Sequence, residues 1–250
     1  MTRMKEQLSF DLESVRLQEY SIRESLRAKT VRLNMTPQNG LVIVVPAGFN
    51  RKRLPDILRE KKNWIENARR WADEQRLLKP PESTARPDSV ILEAIDEVWT
   101  VFYRSTDSAR TLAREHSDFR LLVSGDADQI RASTLALRRW TARKARRSLI
   151  PWLENLSGEL ELPFGDTVVR NQRTRWASCS PNKVISLNQK LLLLPDRLVR
   201  YVLVHELCHT VHLNHSKRFW SLVGKKEPAY RTLRRELGDG WKYVPRWMEE

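Results

Sequence analysis

Cysteine is almost absent from this chain of 250 residues, with Cys179 and Cys208 alone. Two thiols cannot form a disulfide framework, and they fit a reducing, cytoplasmic setting. Free cysteine is commonly buried, so both read as core thiols. Long apolar runs are missing too. The longest, Leu41–Val45 and Leu191–Leu194, fall far below the roughly 20 residues that span a membrane. No early stretch joins a basic start, an apolar run and a small-residue cleavage site, so no secretory leader is expected. Neither an internal repeat nor a glycine-rich phosphate loop is present, nor a cluster of magnesium-binding carboxylates.

What is there suits a soluble globular protein. Hydrophobic residues make up 40% and charged residues 30%, and nine tryptophans argue against disorder. The formal charge of +14 would attract polyanions, although scattered cations also serve solubility alone. The densest positive run is Arg138, Arg139, Arg143, Lys144, Arg146 and Arg147, with no acid among them. A solvated helix face explains it, and a nucleic-acid docking face is the alternative.

Residues from Val15 to Val45 read as strands. Val31–Met35 and Leu41–Val45 flank Pro37-Gln38-Asn39-Gly40, and Asn-Gly favours the positive φ of a hairpin turn. Between Arg51 and about Leu77, Leu54, Ile57, Leu58, Trp64, Ile65, Ala68, Trp71 and Ala72 recur at helical spacing. The segment from Lys79 to Pro87 is proline-rich and reads as a linker or long loop. Val90–Tyr103 and Phe119–Ser124 read as strands, with a turn at Asp96-Glu97. A long helix is expected from about Asp126 to Gly158. Short strands (Thr167–Asn171, Lys183–Asn188) then lead to helices near Asp196–Leu213, Ser216–Gly224 and Pro228–Leu237. The expected fold is α+β: a strand-rich N-terminal region (1–125) packed on a helical metal-binding catalytic domain (126–250).

Four of the five histidines lie within His205–His215. His205-Glu206-Leu207-Cys208-His209 is a His-Glu-x-x-His motif in a helical run. Residues i and i+4 share one helix face, so both imidazoles can reach one metal. His215, six residues later, is a workable third ligand if the chain turns back, for which Asn214 could supply a left-handed cap. Three protein ligands and an open position characterise catalytic zinc, and imidazole suits zinc better than calcium or magnesium. Glu206, on the adjacent face, is placed to act as base on water. His212 would crowd His215, so a surface or supporting role is expected for it.

The stretch from Tyr201 to His209, continued by Asn214-His215-Ser216-Lys217-Arg218-Phe219-Trp220, resembles the YgjP-like metallopeptidase family. These are predicted metal-dependent hydrolases related to SprT-like zinc proteases. Arg173-Thr174-Arg175-Trp176-Ala177-Ser178-Cys179-Ser180 is similar to the family's Arg-Trp-Gly-Ser-Cys segment, and Lys62-Asn63-Trp64-Ile65 also matches. The resemblance implies a zincin-like domain, His205, His209 and His215 as zinc ligands, and Glu206 as catalytic base. Ala177 stands where the family usually has glycine, and alanine would be strained there if that turn needs positive φ.

The resulting expectation is peptide or protein hydrolysis, with Arg175 or Tyr230 stabilising the oxyanion. The strand Lys183–Asn188 would pair with an extended peptide. A metal-dependent phosphohydrolase acting on nucleotides, and a nucleic-acid-associated protease or binding module, are the alternatives.

Overall fold

The computed structural model describes residues 20–26, 28–36, 40–78 and 86–248. The start of the first expected strand (Val15–Glu19), the tip of the hairpin turn (Pro37–Asn39) and the linker from Lys79 to Ala85 lie outside them. The architecture is mixed α/β, with three sheets and six α-helices among the described residues. Two compact units divide at Arg76–Leu77.

In the first unit, strands β1 (Tyr20–Ser25), β2 (Arg32–Thr36) and β3 (Gly40–Pro46) form a sheet in the order β1-β3-β2. β2 and β3 pair antiparallel, Met35 opposite Leu41, as a hairpin requires. β1 runs parallel to β3 on its other side. Alternation puts Leu41, Ile43 and Val45 on one face, where they bury against Leu54, Leu58 and Ile65. These last three come from α1 (Leu54–Glu60) and α2 (Lys62–Leu78). The single helix expected from Arg51 is therefore a short 3-10 turn and two helices. The break falls at Lys61, whose ψ of 12° departs from helical values, while the Ile65 N–H still reaches the Lys61 carbonyl at 2.9 Å.

The second unit begins with a four-stranded sheet ordered β4-β5-β7-β6, from β4 (Ser89–Leu92), β5 (Glu97–Ser105), β6 (Leu112–His116) and β7 (Arg120–Gly125). Asp96, at the expected turn, adopts a left-handed conformation with φ of 51°. The 31-residue helix α3 (Ile130–Leu160) packs on β6 and β7. Its Leu137, Trp140, Leu149 and Leu153 join Trp99, Leu121 and Val123 in one core. The sheet to Gly125 thus shares a core with the helix that follows it, and the compact division falls earlier than the expected 125/126.

The basic run on α3 is not one continuous face. Arg143 donates to the Ala113 carbonyl at 2.8 Å. Lys144 lies 2.7 Å from Glu97, largely covered, and 4.9 Å over the Trp99 ring. Arg147 lies 4.0 Å from Glu115. The acids absent from the helix arrive from β5 and β6, where Glu97 and Glu115 face Lys144 and Arg147. The positive run is thus broken at two positions by acids of the sheet, and no contact among the described residues supports nucleic-acid binding.

The remaining elements build the site. Strands β8 (Thr167–Arg170), β9 (Ala177–Cys179) and β10 (Ile185–Asn188) form a sheet in the order β8-β10-β9. Then come α4 (Asp196–His209), α5 (Lys217–Lys226) and α6 (Tyr230–Gly238). Helix α4 is apolar on nearly every side, burying Leu198, Val199, Val202, Leu203, Val204 and Leu207. Such a helix belongs inside a domain, and it contacts α3, α5, α6 and β9. No helix is long and apolar enough to cross a membrane among the described residues.

Candidate metal centre

The site is built on the last turn of α4. Pro195 precedes the helix and Asp196 sits in its first turn, where a negative charge meets the positive end of the helix dipole. At the other end Thr210 folds its hydroxyl onto the Leu207 carbonyl at 2.8 Å, and the His212 N–H bonds the Cys208 carbonyl at 3.0 Å. The helix therefore stops at His209 rather than at the expected Leu213. The chain reverses over the next six residues, and α5 starts with Ser216 as cap, its hydroxyl accepting from the Phe219 N–H. The reversal needs no left-handed Asn214, which is not among the residues of positive φ.

This reversal lays His215 over the helix face that carries His205 and His209. The Nε2 of His205 lies 3.2 Å from that of His209 and 3.1 Å from that of His215. Ligand atoms on all three fall within 4.8 Å of one another, a grouping that could hold a metal ion. Nitrogens about 2.05 Å from a tetrahedral zinc lie roughly 3.3 Å apart, so the spacing fits such an ion. The Nδ1 of His209 is 2.9 Å from the His212 carbonyl. That carbonyl can only accept, so Nδ1 carries the proton and Nε2 is left as a bare lone pair directed at the other imidazoles. His212 supports the group through its backbone, not its ring.

Two aromatic rings floor the cluster. Phe219 is fully buried, stacks on His209 at 4.4 Å between centroids and meets His205 and His215 edge-on at 4.9 Å. Trp220 stacks on His215 at 5.5 Å. Burial pushes the His205 imidazole down to about 3, assisted by the neighbouring histidines and by Arg234. It lowers His209 as well. Both rings are thus held neutral, the form that binds metals.

Glu206 is 6% exposed, and its Oε2 is buried without a hydrogen-bond partner. The carboxylate accepts one backbone N–H, from Cys179 on β9. Burial pushes Glu206 up to about 8, opposed by the Arg175 charge and by that N–H. A buried carboxyl with an unused oxygen is costly to keep for packing alone, and such groups cluster at functional sites.

Strand β9 was not legible as a strand from its sequence, and it alters two expectations. β10, within the stretch expected to bind peptide, is the central strand: β8 pairs with it in parallel and β9 antiparallel. It has no free edge. The edges belong to β8 and β9, and of the two it is β9 that lies against α4. Ala177, paired with Leu187, has ordinary strand conformation, so alanine in place of glycine is unstrained there. Cys208 is buried as expected; Cys179 is only half-buried and sits beside Glu206, which together with burial raises its thiol to about 11.

Of the two oxyanion candidates, the exposed Arg175 lies near enough for its charge to act on Glu206. Tyr230 stacks on Trp220 at 5.7 Å, and its hydroxyl lies 3.3 Å from Arg231 Nε. Phe219, Trp220 and Arg234 carry no metal-ligand or acid–base signature, and only the family stretch drew attention to the first two.

A family model described as YgjP-like, metallopeptidase domain, matches residues 29–239. Among solved structures, the crystal structure of the metallopeptidase zymogen of Pyrococcus abyssi abylysin matches at 25% identity and a TM-score of 0.32. The match covers 34% of this chain and 87% of that one. No curated protein matches the chain. The family match runs from just before β2 through the histidine cluster to the end of α6, and the chain belongs to the YgjP-like metallopeptidase family of metal-dependent hydrolases.

Proposed function

We propose that the chain is a zinc-dependent peptidase with a zincin-like catalytic domain, in which His205, His209 and His215 hold the metal and Glu206 is the catalytic base. The observation that carries this reading is the convergence of three imidazole Nε2 atoms at 3.1–3.2 Å, beside a buried carboxylate with one unused oxygen. Three neutral imidazoles are a donor set that favours zinc over the hard cations. When bound, zinc supplies Lewis acidity, polarising a carbonyl and making water more acidic.

The chain's own groups would do the rest. Glu206 takes the proton of the attacking water at its carboxylate and returns it to the leaving nitrogen. The Cys179 N–H fixes that carboxylate on the strand side. Arg175 offers a positive charge where an oxyanion develops, the role in which preorganised donors act most strongly. The extended substrate lies along β9. The Ser180 N–H and the Trp176 carbonyl are used by β10 partners, so by the alternation of an antiparallel ladder the polar groups of Ala177 point to the free edge. Two free thiols suit a cytoplasmic setting.

Turnover of a peptide pool by zinc-loaded protein, compared with Glu206→Gln, tests the reading. Peptide cleavage lost in the variant, with zinc retained, is the expected result. Release of phosphate from nucleotides with intact peptides would replace it with the phosphohydrolase alternative.

A further inference from the structure

A cavity of about 600 Å³ opens between α5 and α6, lined by Lys217, Trp220, Ser221, Tyr230, Arg231 and Arg234. Three of its six lining residues are cations and none is an acid. Neighbouring cations are used differently. Arg197 is paired with Glu236, and Arg200 lies 3.0 Å from Glu159 and 3.1 Å from Glu227. Lys226 donates to the Leu160 carbonyl at 2.7 Å. No carboxylate pairs with Lys217, Arg231 or Arg234 among the described residues. Their neighbours are aromatic: the Arg234 guanidinium sits 4.6 Å over Trp220, and Arg231 is bonded to the Tyr230 hydroxyl.

The cavity is also tied to the metal centre. Trp220 stacks on His215 with one face, at 5.5 Å and 26°, and against Tyr230 at 5.7 Å and 19°. The Arg234 guanidinium, over the same Trp220 ring, therefore stands within about 10 Å of the His215 imidazole. An extended peptide advances about 3.3 Å per residue, so a side chain reaching it belongs to a residue roughly two or three positions from the scissile bond. A guanidinium held over a ring, as Arg234 is over Trp220, is kept in place and can still offer its planar fork to a carboxylate, while Arg231 keeps its terminal nitrogens beyond the Nε bonded to Tyr230.

We propose that this cavity is a carboxylate-binding subsite that selects peptide substrates with an acidic residue, or a free C-terminus, two or three positions from the cleaved bond. It rests on the peptidase reading above and narrows the substrate class. Arg231 and Arg234 are one helical turn apart on α6, and Lys217 faces them from the first turn of α5, so a carboxylate can meet more than one cation.

The test uses zinc-loaded full-length protein and internally quenched peptides with blocked ends and no other charge. Glu, Gln or Lys is walked over three positions on each side of the cleaved bond. A second set, neutral throughout, ends in a free carboxylate at the same positions, which separates a side-chain source from a terminal one. The expected result is a Glu-over-Gln, or free-over-amidated, preference in kcat/KM of at least about 10-fold at one position, the usual worth of a charge-assisted hydrogen bond. Arg234→Glu should shift that position toward Lys, which loss of packing alone would not do. Lys217→Gln, at the opposite wall, should reduce the preference. Cleavage with ratios near one at every position overturns the subsite and leaves the peptidase standing. A preference that survives Arg231→Gln with Arg234→Gln overturns its location. No cleavage of any peptide overturns both.

Discussion

His209 points its Nδ1 at the carbonyl oxygen of His212, 2.9 Å away, and this bond decides which nitrogen of the ring faces His205 and His215. A residue three positions beyond the motif thus sets the tautomer within it. His212 can be replaced without loss of the bond, because the backbone makes it. His212→Ala is expected to keep metal content within about two-fold of the parent, whereas loss of an orienting partner commonly costs 10–100-fold in affinity. Competition with a chromophoric chelator measures it.

Glu206→Gln keeps the shape of the side chain and removes its basicity. Zinc content should be unchanged while kcat falls by roughly 10²–10⁴, the range for a lost general base. Full activity in this variant would remove Glu206 from the reaction.

The free edge of β9 can be tested at Ala177. Its N–H faces away from β10, so Ala177→Pro removes an edge donor without removing a ladder bond. Peptide kcat/KM should drop by about 10-fold, with zinc content and circular dichroism close to those of the parent. Unchanged kinetics would mean that substrate does not pair there.

Phe219 is the buried floor under all three imidazoles. Phe219→Ala should destabilise the fold by about 3–5 kcal/mol and weaken metal binding with it, because the ring fixes the orientation of His209. Urea unfolding with and without zinc separates the two effects.

The cations of α3 should differ among themselves. Lys144, largely covered beside Glu97 and Trp99, should cost about 1–3 kcal/mol when replaced by Ala, since Glu97 is left without its cation. The exposed Arg139 and Arg146 should each change stability by no more than about 0.5 kcal/mol when replaced by Gln. Thermal unfolding of the three variants distinguishes them.

The histidine cluster was the most legible part of the sequence because its logic is local. Two histidines four apart share a helix face, and a third can return within six residues. Where the helix ends was less legible, since the reversal to His215 halts α4 at His209 through the Thr210 and His212 contacts, and apolar spacing alone runs on to Leu213. β9 and β6 escaped notice because Ala-Ser-Cys and Leu-Ala-Arg-Glu-His lack apolar alternation; they are strands by virtue of their pairing with β10 and β7. The status of β10 as a central strand is likewise topological. The basic run of α3 looked uncompensated because Glu97 and Glu115 lie 47 and 32 residues from Lys144 and Arg147. The cavity between α5 and α6 could not be read at all, since only the fold brings Lys217 and Arg234 to one lining.

The most direct test of the metal centre is elemental analysis of protein purified without added metal, beside His209→Ala prepared identically. About one zinc per chain in the parent, and essentially none in the variant, is the expected result. No metal in the parent, no uptake of added zinc and unchanged stability in its presence would contradict a metal centre at these three histidines.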